Sequence, residues 1–109
     1  MNRFLATVTR NDVTNDLSYG YDSERGFWVS IGRSGKLIAN YMSIVSGYEG
    51  LAGAVDFLLD YDVVHRQDAT QGLAAVFMGH PIDAIEDPDA RIVAQILTDL
   101  VEALREGGE

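Results

Sequence analysis

The sequence has no cysteine among its 109 residues, which excludes a disulfide framework and a catalytic or metal-binding thiolate. It also has no run of about 18 apolar residues, the length that a membrane-spanning helix needs. The first residues lack the apolar core of a signal peptide, and internal repeats, linkers and low-complexity segments are missing as well. We expect a single domain over residues 1–109, soluble and cytoplasmic.

Basic residues are scarce and unevenly placed. Eight Lys and Arg face 17 Asp and Glu, so the formal net charge is −9. Residues 1–48 carry a net charge of +1, whereas residues 49–109 carry a net charge of −10. Direct nucleic-acid binding is not expected, because it depends on neutralising phosphates. The acidic half suggests an alternative function as an inhibitor that mimics nucleic acid on a basic partner, although solubility and helix-end charges also account for it.

The clearest pattern is a hairpin over residues 26–42. Aromatic and β-branched residues fit a pleated, half-buried surface, and they alternate here between two faces. One predicted face carries Phe27, Val29 and Ile31, and the other carries Trp28, Ser30 and Gly32. The polar break at residues 33–36 predicts a tight turn in which Gly35 can take a positive φ.

Weaker alternation extends the hairpin to a sheet. The predicted strands are residues 4–9, 17–22, 27–32 and 37–42. Each connection is too short for a crossover, so we expect an antiparallel meander of three to four strands. Gly20, inside the second strand, suggests a β-bulge. The orientation of the fourth strand stays open, because both of its faces carry apolar residues, and so does the choice of sheet face that the helices cover.

Apolar residues at helical spacing predict three helices in the second half of the chain. They cover approximately residues 47–60, 69–78 and 88–106. Ser46, Asp68 and Asp87 are the expected N-cap residues. Gly50 and Gly53, three residues apart in the first helix, favour a close approach of that helix to the sheet. The predicted fold is α+β, with the three helices packed mainly on one face of the sheet.

Motifs for catalysis are missing from the sequence. There is no G-x-S-x-G nucleophile elbow, and the carboxylates at residues 83–89 lack the spacing and glycine of a calcium loop. We therefore interpret these carboxylates as helix-capping residues and predict no catalytic, metal-binding or cofactor-binding residue. An alternative hypothesis is a small-ligand-binding protein or enzyme with a pocket near Tyr48, His65 and His80, in which a carboxylate orients one histidine.

Aromatic residues concentrate in and beside the predicted sheet. Side chains with an apolar body and a polar tip are favoured at interfaces. The candidate interface residues are Tyr19, Tyr21, Trp28, Ile38 and Tyr41. Trp28 faces outward if its neighbours on the strand face the helices, and it is covered if the first strand or the last helix lies over it. The leading interpretation is a small protein-interaction or regulatory domain without catalytic activity, which forms a homodimer through this surface or the last helix, or binds another protein.

Overall fold

A computed structural model of the protein describes residues 2–22, 24, 26–43 and 48–107. Four strands precede the helices. The elements are β1 (Asn2–Arg10), β2 (Val13–Asp22), β3 (Gly26–Arg33), β4 (Lys36–Ser43), α1 (Tyr48–Asp60), α2 (Arg66–Phe77), a 3₁₀ helix (Ile82–Ala84) and α3 (Pro88–Gly107). Within the described residues, no helix is both long and apolar enough to span a membrane. The predicted α+β fold is confirmed, with element ends displaced by up to four residues.

The sheet has the strand order β1-β2-β3-β4, and every neighbouring pair is antiparallel. Two-residue turns join β1 to β2 and β3 to β4. Their central residues, Asn11 and Asp12 in the first turn and Ser34 and Gly35 in the second, have φ between 54° and 77°. Positive φ at both positions is the type I′ geometry, whose twist matches that of the flanking strands. The turn predicted at Gly35 is confirmed.

Strand β2 begins at Val13, four residues before the predicted start. The polar residues at its beginning are paired rather than looped out. Asn15 is buried, and its Oδ1 accepts a hydrogen bond of 2.6 Å from Nε of Arg33 on β3. The prediction began β2 too late because the partner of Asn15 lies 18 positions away in the sequence.

The β-bulge lies between β3 and β4, not at Gly20. Gly20 pairs with Arg3 on one side and Trp28 on the other, and the register runs through it without interruption. The register shifts instead between Ile31 and Gly32. The prediction of a bulge at Gly20 was therefore wrong.

The helices lie on one face of the sheet, called here the inner face. α3 packs against β1 and β2, α1 packs against β3 and β4, and α2 packs mainly against α3. The buried sheet residues of the inner face are Val8, Asn15, Leu17, Tyr19, Phe27, Val29 and Ile31. They share one core with buried helix residues such as Leu58, Leu97 and Leu100. In the described part of the chain, no helix covers the opposite face, called here the outer face.

His65, not Asp68, caps the second helix. α2 begins at Arg66, and the backbone N–H of Gln67 donates to Nδ1 of His65 at 3.2 Å. The prediction of Asp68 as N-cap was wrong because His65 supplies the acceptor three residues earlier, which leaves Asp68 inside the first turn. Ser46, the predicted cap of α1, lies outside the described residues.

Helix α1 approaches the sheet closely at Gly53. A Cβ atom at this position would lie 2.1 Å from the hydroxyl oxygen of Tyr41 and 3.0 Å from its Cζ. The same hydroxyl donates to the carbonyl oxygen of Gly50 at 3.2 Å, and the Tyr41 ring packs on Phe57 with centroids 5.6 Å apart. The close approach predicted from the two glycines is confirmed, and it fixes the orientation of β4 by holding Tyr41 on the inner face.

Candidate interaction surface

The outer face of the sheet carries large apolar side chains. The exposed fractions are 72% for Leu5, 64% for Leu37, 64% for Met42 and 42% for Ile38. Trp28, which lies between β2 and β4, is half-buried. These five residues are called the outer apolar patch. Single exposed leucines are ordinary on protein surfaces, but several large apolar side chains on one face mark an interaction site.

Cross-strand pairing explains how the patch forms. Trp28 pairs with Met42, and beyond the bulge Leu37 pairs with Gly32. A shift of one residue moves side chains to the other face of a sheet, so the bulge brings Leu37 to the outer face. There Leu37 and Leu5 line one shallow depression of about 290 Å³.

Polar and charged groups accompany the outer apolar patch. Nε of Arg3 donates to Oγ of Ser18 at 2.9 Å. Oγ of Ser30 donates to Oδ1 of Asn40 at 2.6 Å. The charged residues that line the depression are Arg3, Asp16 and Lys36. Both signs of charge therefore occur beside apolar side chains, the composition of a protein–protein interface with a polar rim.

The indole nitrogen of Trp28 has no hydrogen-bond partner among the described residues, although it is shielded from solvent. Buried tryptophan N–H groups usually find an acceptor, and an unpaired buried donor costs about 1–3 kcal/mol. Tryptophan is also enriched among the residues that dominate binding energy at interfaces. Trp28 therefore belongs to the candidate surface by its position on the outer face and its residue type, while its shielded N–H stays without a described partner.

The three tyrosines that were predicted to share a surface with Trp28 lie on the inner face. Tyr19 is 1% exposed, Tyr21 is half-buried on the same strand face, and Tyr41 contacts α1. The prediction that grouped them with Trp28 and Ile38 is corrected, because alternation along β2 and β4 turns them towards the helices. Only Trp28 and Ile38 of the five candidates lie on the outer face, and their role in an interface stays a prediction.

The polar tip of Tyr19 joins β2 to α3. Its hydroxyl donates to Oδ2 of Asp99 at 2.6 Å, and Oδ1 of Asp99 accepts from Nε2 of Gln95 at 2.8 Å. The Tyr19 ring stacks on Phe4 with centroids 5.7 Å apart. Burial raises the pKa of Tyr19 above its ordinary value, and the hydrogen bond to Asp99 and the charge of that carboxylate raise it further.

The two histidines of the ligand-pocket hypothesis do not converge. His65 caps α2 at its beginning and His80 follows its end, and a helix of 12 residues is about 18 Å long. Both histidines are exposed. The side chain of Tyr48 lies outside the described residues, although its backbone begins α1. The described geometry therefore provides no common pocket for the two histidines.

Two arginines at one end of the sheet hold the segment that follows α1. Nη1 of Arg10 donates to Oδ1 of Asp62 at 2.8 Å, and Nη2 of Arg33 donates to the carbonyl oxygen of Tyr61 at 2.8 Å. Both arginines line a cleft of about 340 Å³. Because these donors are used within the chain, we interpret the cleft as a by-product of this packing and not as an anion site.

Three carboxylates meet where α2 lies against the beginning of α3. Their ligand oxygens, from Asp68, Asp87 and Asp89, lie within 4.8 Å of one another, so these are the described residues that could hold a metal ion. Asp87 caps α3 as predicted, because its Oδ1 accepts a hydrogen bond of 2.9 Å from the Asp89 N–H. Asp68 is only 8% exposed, and its carboxyl group is hydrogen-bonded to that of Asp87.

Two of these carboxyl groups, those of Asp68 and Asp87, have pKa values shifted in opposite directions. Burial raises the pKa of Asp68, and the hydrogen bond and charge of Asp87 and the charge of Asp89 raise it further, against a smaller lowering by His65. The hydrogen bond from Asp68 is the main cause that lowers the pKa of Asp87. When the pair holds one proton, these opposite shifts place it on Asp68 and leave Asp87 ionised.

We expect Asp68→Asn to raise the stability of the protein at neutral pH. The folded pKa of Asp68 lies above its unfolded value, so folding retains a proton that the unfolded chain releases. Stability is therefore lost as the pH rises above about 4 through the folded pKa. Asparagine can donate to Asp87 without a titrating proton. Urea midpoints should fall from acidic to neutral pH in the wild type and fall less in the variant.

The exposed Asp56→Asn variant on α1 is the control for this titration. It makes the same change of charge outside the cluster and should keep the wild-type dependence on pH. The titration of Asp87 has the opposite effect on stability, but only at lower pH. Because its pKa is lowered in the folded state, its contribution to stability is lost as the pH falls below about 4. Equal pH dependence of wild type and Asp68→Asn would contradict the shared proton.

Several described acidic residues of the second half lie at separate places in the fold. Asp68 and its neighbours lie at the α2–α3 junction, Asp62 pairs with Arg10 at the end of the sheet, and Asp99 points to Tyr19. A nucleic-acid mimic would need carboxylates in a row along one surface, so these positions add no support to that hypothesis.

Sequence reasoning missed Leu5, Leu37 and Met42 as surface candidates. The sequence pattern does place Leu5 on the outer face. Phe4, Ala6 and Val8 form the more apolar face of β1, and Leu5 alternates with them, so it belongs to the less buried face. Leu37 could not be assigned in this way, since its orientation depends on the bulge opposite Gly32.

Comparison with known proteins gives no match to any family model, to any curated protein or to any solved structure.

Proposed function

We propose that this protein is a small, non-catalytic interaction domain that forms a homodimer by stacking the outer faces of two sheets. The observation that supports this proposal is the outer apolar patch, centred on Trp28 and uncovered within the described part of the chain. A sheet that buries only one face ordinarily carries polar residues on the other. The patch departs from that pattern at five positions, which is most simply explained by a second surface that covers it.

The size of the face suits a modest dimer. Four strands lie about 4.8 Å apart, and each has about 8 residues at about 3.3 Å per residue. The flat area of the face is therefore roughly 500 Å², without the added area of protruding side chains. Two such faces bury on the order of 1,000 Å², the lower limit for a specific interface. Association should therefore be reversible, and dimers should form at micromolar or higher concentrations.

The charges beside the outer apolar patch favour a second copy of this chain as the partner that covers it. An isologous interface places the same surface on both sides, so it must complement itself. Arg3 and Lys36 supply positive charge, and Asp16 supplies negative charge in the same depression. The strongly acidic helices lie on the far side of each sheet in this arrangement. Solvent screening over roughly 8–10 Å weakens repulsion between them, whereas a dimer through α3 would bring them together.

The oligomeric state tests this proposal. Light scattering and sedimentation over a concentration series should show the mass rising from 11.9 kDa to about twice that value. The double variant Leu5→Lys/Leu37→Lys places two unpaired ammonium groups of each chain in the contact and should weaken the dimer by about 100-fold or more. Its unfolding midpoint should stay close to that of the wild type, because both side chains are exposed.

Val13→Lys is the matched control. Val13 is an apolar strand residue that is 43% exposed. It alternates in step with Asn15 and Leu17, so its side chain belongs to the inner face of β2. This variant should dimerise as the wild type does. A wild type that stays monomeric at every concentration would refute the proposal, and so would equal weakening by the control and the double variant.

A further inference from the structure

Helix α2 presents a face without charge to solvent. From Ala69 to Gly79 the sequence contains no charged residue, although a solvated helix face normally carries several. The residues at helical spacing on one side of this helix are Gln71, Ala74, Ala75 and Met78. They form one wall of an open groove of about 480 Å³. Met78 is 71% exposed at the end of this wall.

The other wall of the groove is acidic. It is lined by His80, Ile85, Glu86 and Asp87. Residues 80–89 hold four carboxylates and no lysine or arginine. The one ion pair among the described residues is between Arg10 and Asp62. Neither belongs to this segment. The guanidinium of Arg91 lies beside it, where Nε donates to the carbonyl oxygen of Ile85, so one described cation accompanies the four carboxylates.

We propose that this groove, here called the α2 groove, binds a basic amphipathic helix of another protein. The apolar stripe of such a helix would lie on Ala74, Ala75 and Met78. Its lysines or arginines would face Glu86 on the opposite wall and lie near Asp83 of the same acidic segment. The two alanines allow a close approach because their side chains are short. Methionine adapts to differing apolar partners. Charge complementarity selects the partner, since a second copy of this chain would bring another acidic wall and meet like-charge repulsion.

The probe is a synthetic helical peptide of leucine and lysine at amphipathic spacing, compared with the same peptide carrying glutamate in place of lysine. Both are titrated into the 109-residue chain and followed by amide chemical shifts in NMR spectra. We expect the lysine peptide to perturb the amides of Ala74, Ala75 and Ile85, and the glutamate peptide to leave them unchanged. Binding should weaken as salt rises from about 20 to about 200 mM, because the Debye length then falls from roughly 20 to 7 Å.

Two double variants with equal charge change locate the contact. Asp83→Asn/Glu86→Gln removes two exposed carboxylates beside the groove, and Asp56→Asn/Glu102→Gln removes two exposed carboxylates from α1 and α3. The first should weaken the lysine peptide by about fivefold or more at low salt, and the second by less than about twofold. Met78→Ser should also weaken binding, since it removes the exposed apolar end of the groove.

Several results would overturn the α2 groove as a binding site. They are the absence of shift changes with the lysine peptide, changes confined to the sheet, equal binding of the glutamate peptide, and equal weakening by both double variants. The result is separable from the proposed dimer. The Leu5→Lys/Leu37→Lys variant should no longer dimerise but should still bind the lysine peptide. The Asp83→Asn/Glu86→Gln variant should bind the peptide more weakly but should still dimerise.

Discussion

Replacing Tyr19 by phenylalanine is expected to lower the free energy of unfolding by about 1.5–3 kcal/mol, the usual contribution of a hydrogen bond to a charged group. The variant keeps the ring that stacks on Phe4 but loses the 2.6 Å hydrogen bond to Asp99. Asp99 then faces the apolar junction of β2 and α3 with only Gln95 as its described hydrogen-bond donor. Urea unfolding followed by circular dichroism measures the difference.

The dependence on alkaline pH separates the hydrogen bond from simple packing. The folded pKa of Tyr19 is raised, so above about pH 10 the unfolded chain loses a phenolic proton that the folded protein keeps. Stability should therefore fall as the pH rises above about 10. Tyr19→Phe removes this titration, and its curve should be flatter over the same range.

Tyr21→Phe provides the comparison on the same face of β2. Tyr21 packs edge-on against Phe27 with centroids 5.3 Å apart, and the change likewise removes one hydroxyl from an aromatic residue. We expect it to leave the alkaline loss of stability in place. Equal stability and equal pH curves for wild type and Tyr19→Phe would contradict the role assigned to the bond between β2 and α3.

Replacing Gly72 by alanine is expected to destabilise the protein by up to about 2 kcal/mol, although alanine favours helix over glycine by about 1 kcal/mol. A Cβ atom at Gly72 would lie 2.8 Å from Cβ of Val93 and 2.9 Å from the carbonyl oxygen of Ala90. Neither atom belongs to a flexible side-chain end, so α2 and α3 would have to separate. Overpacking of this kind costs about 1–3 kcal/mol, and the gain of about 1 kcal/mol in helix preference offsets part of that cost.

The opposite substitution at a neighbouring position is the control. Ala74 is exposed on the same helix, and Ala74→Gly should destabilise by about 1 kcal/mol through helix propensity alone. Alanine is thus preferred at residue 74 and glycine at residue 72, two positions apart. Thermal midpoints of both variants measure this, and a stabilised Gly72→Ala protein would show that the helices can move apart without cost.

The sequence predicted the elements well where local pattern decides the structure. β3 is recognisable because Phe27, Val29 and Ile31 alternate with less apolar residues. The turn at Gly35 needs positive φ, which only a few residue types supply readily. The start of β2 and the cap of α2 were misplaced because both depend on specific partners. Arg33 pairs with a buried asparagine, and His65 supplies the nitrogen that caps the helix.

The candidate surface was harder to predict than the fold. Parity along β2 already places Tyr19 and Tyr21 on one face with Leu17. The sequence does not contain the choice of the face that the helices cover, because that choice depends on long-range packing with α3. Leu37 adds a second difficulty. A bulge changes which face the following side chains occupy, and the residues of β4 do not indicate where the bulge lies.

The position of α3 at the end of the fold bears on synthesis by the ribosome. The hairpin of β1 and β2 is complete at Asp22 and can form within microseconds, but the helix that covers it ends at Gly107. Translation of the 85 residues between them takes roughly 4–17 s at about 5–20 residues per second. Throughout that interval the inner face of the hairpin, with Val8, Leu17 and Tyr19, lacks the helix that buries it. Chaperone binding and co-translational aggregation therefore compete for this face until the last helix emerges.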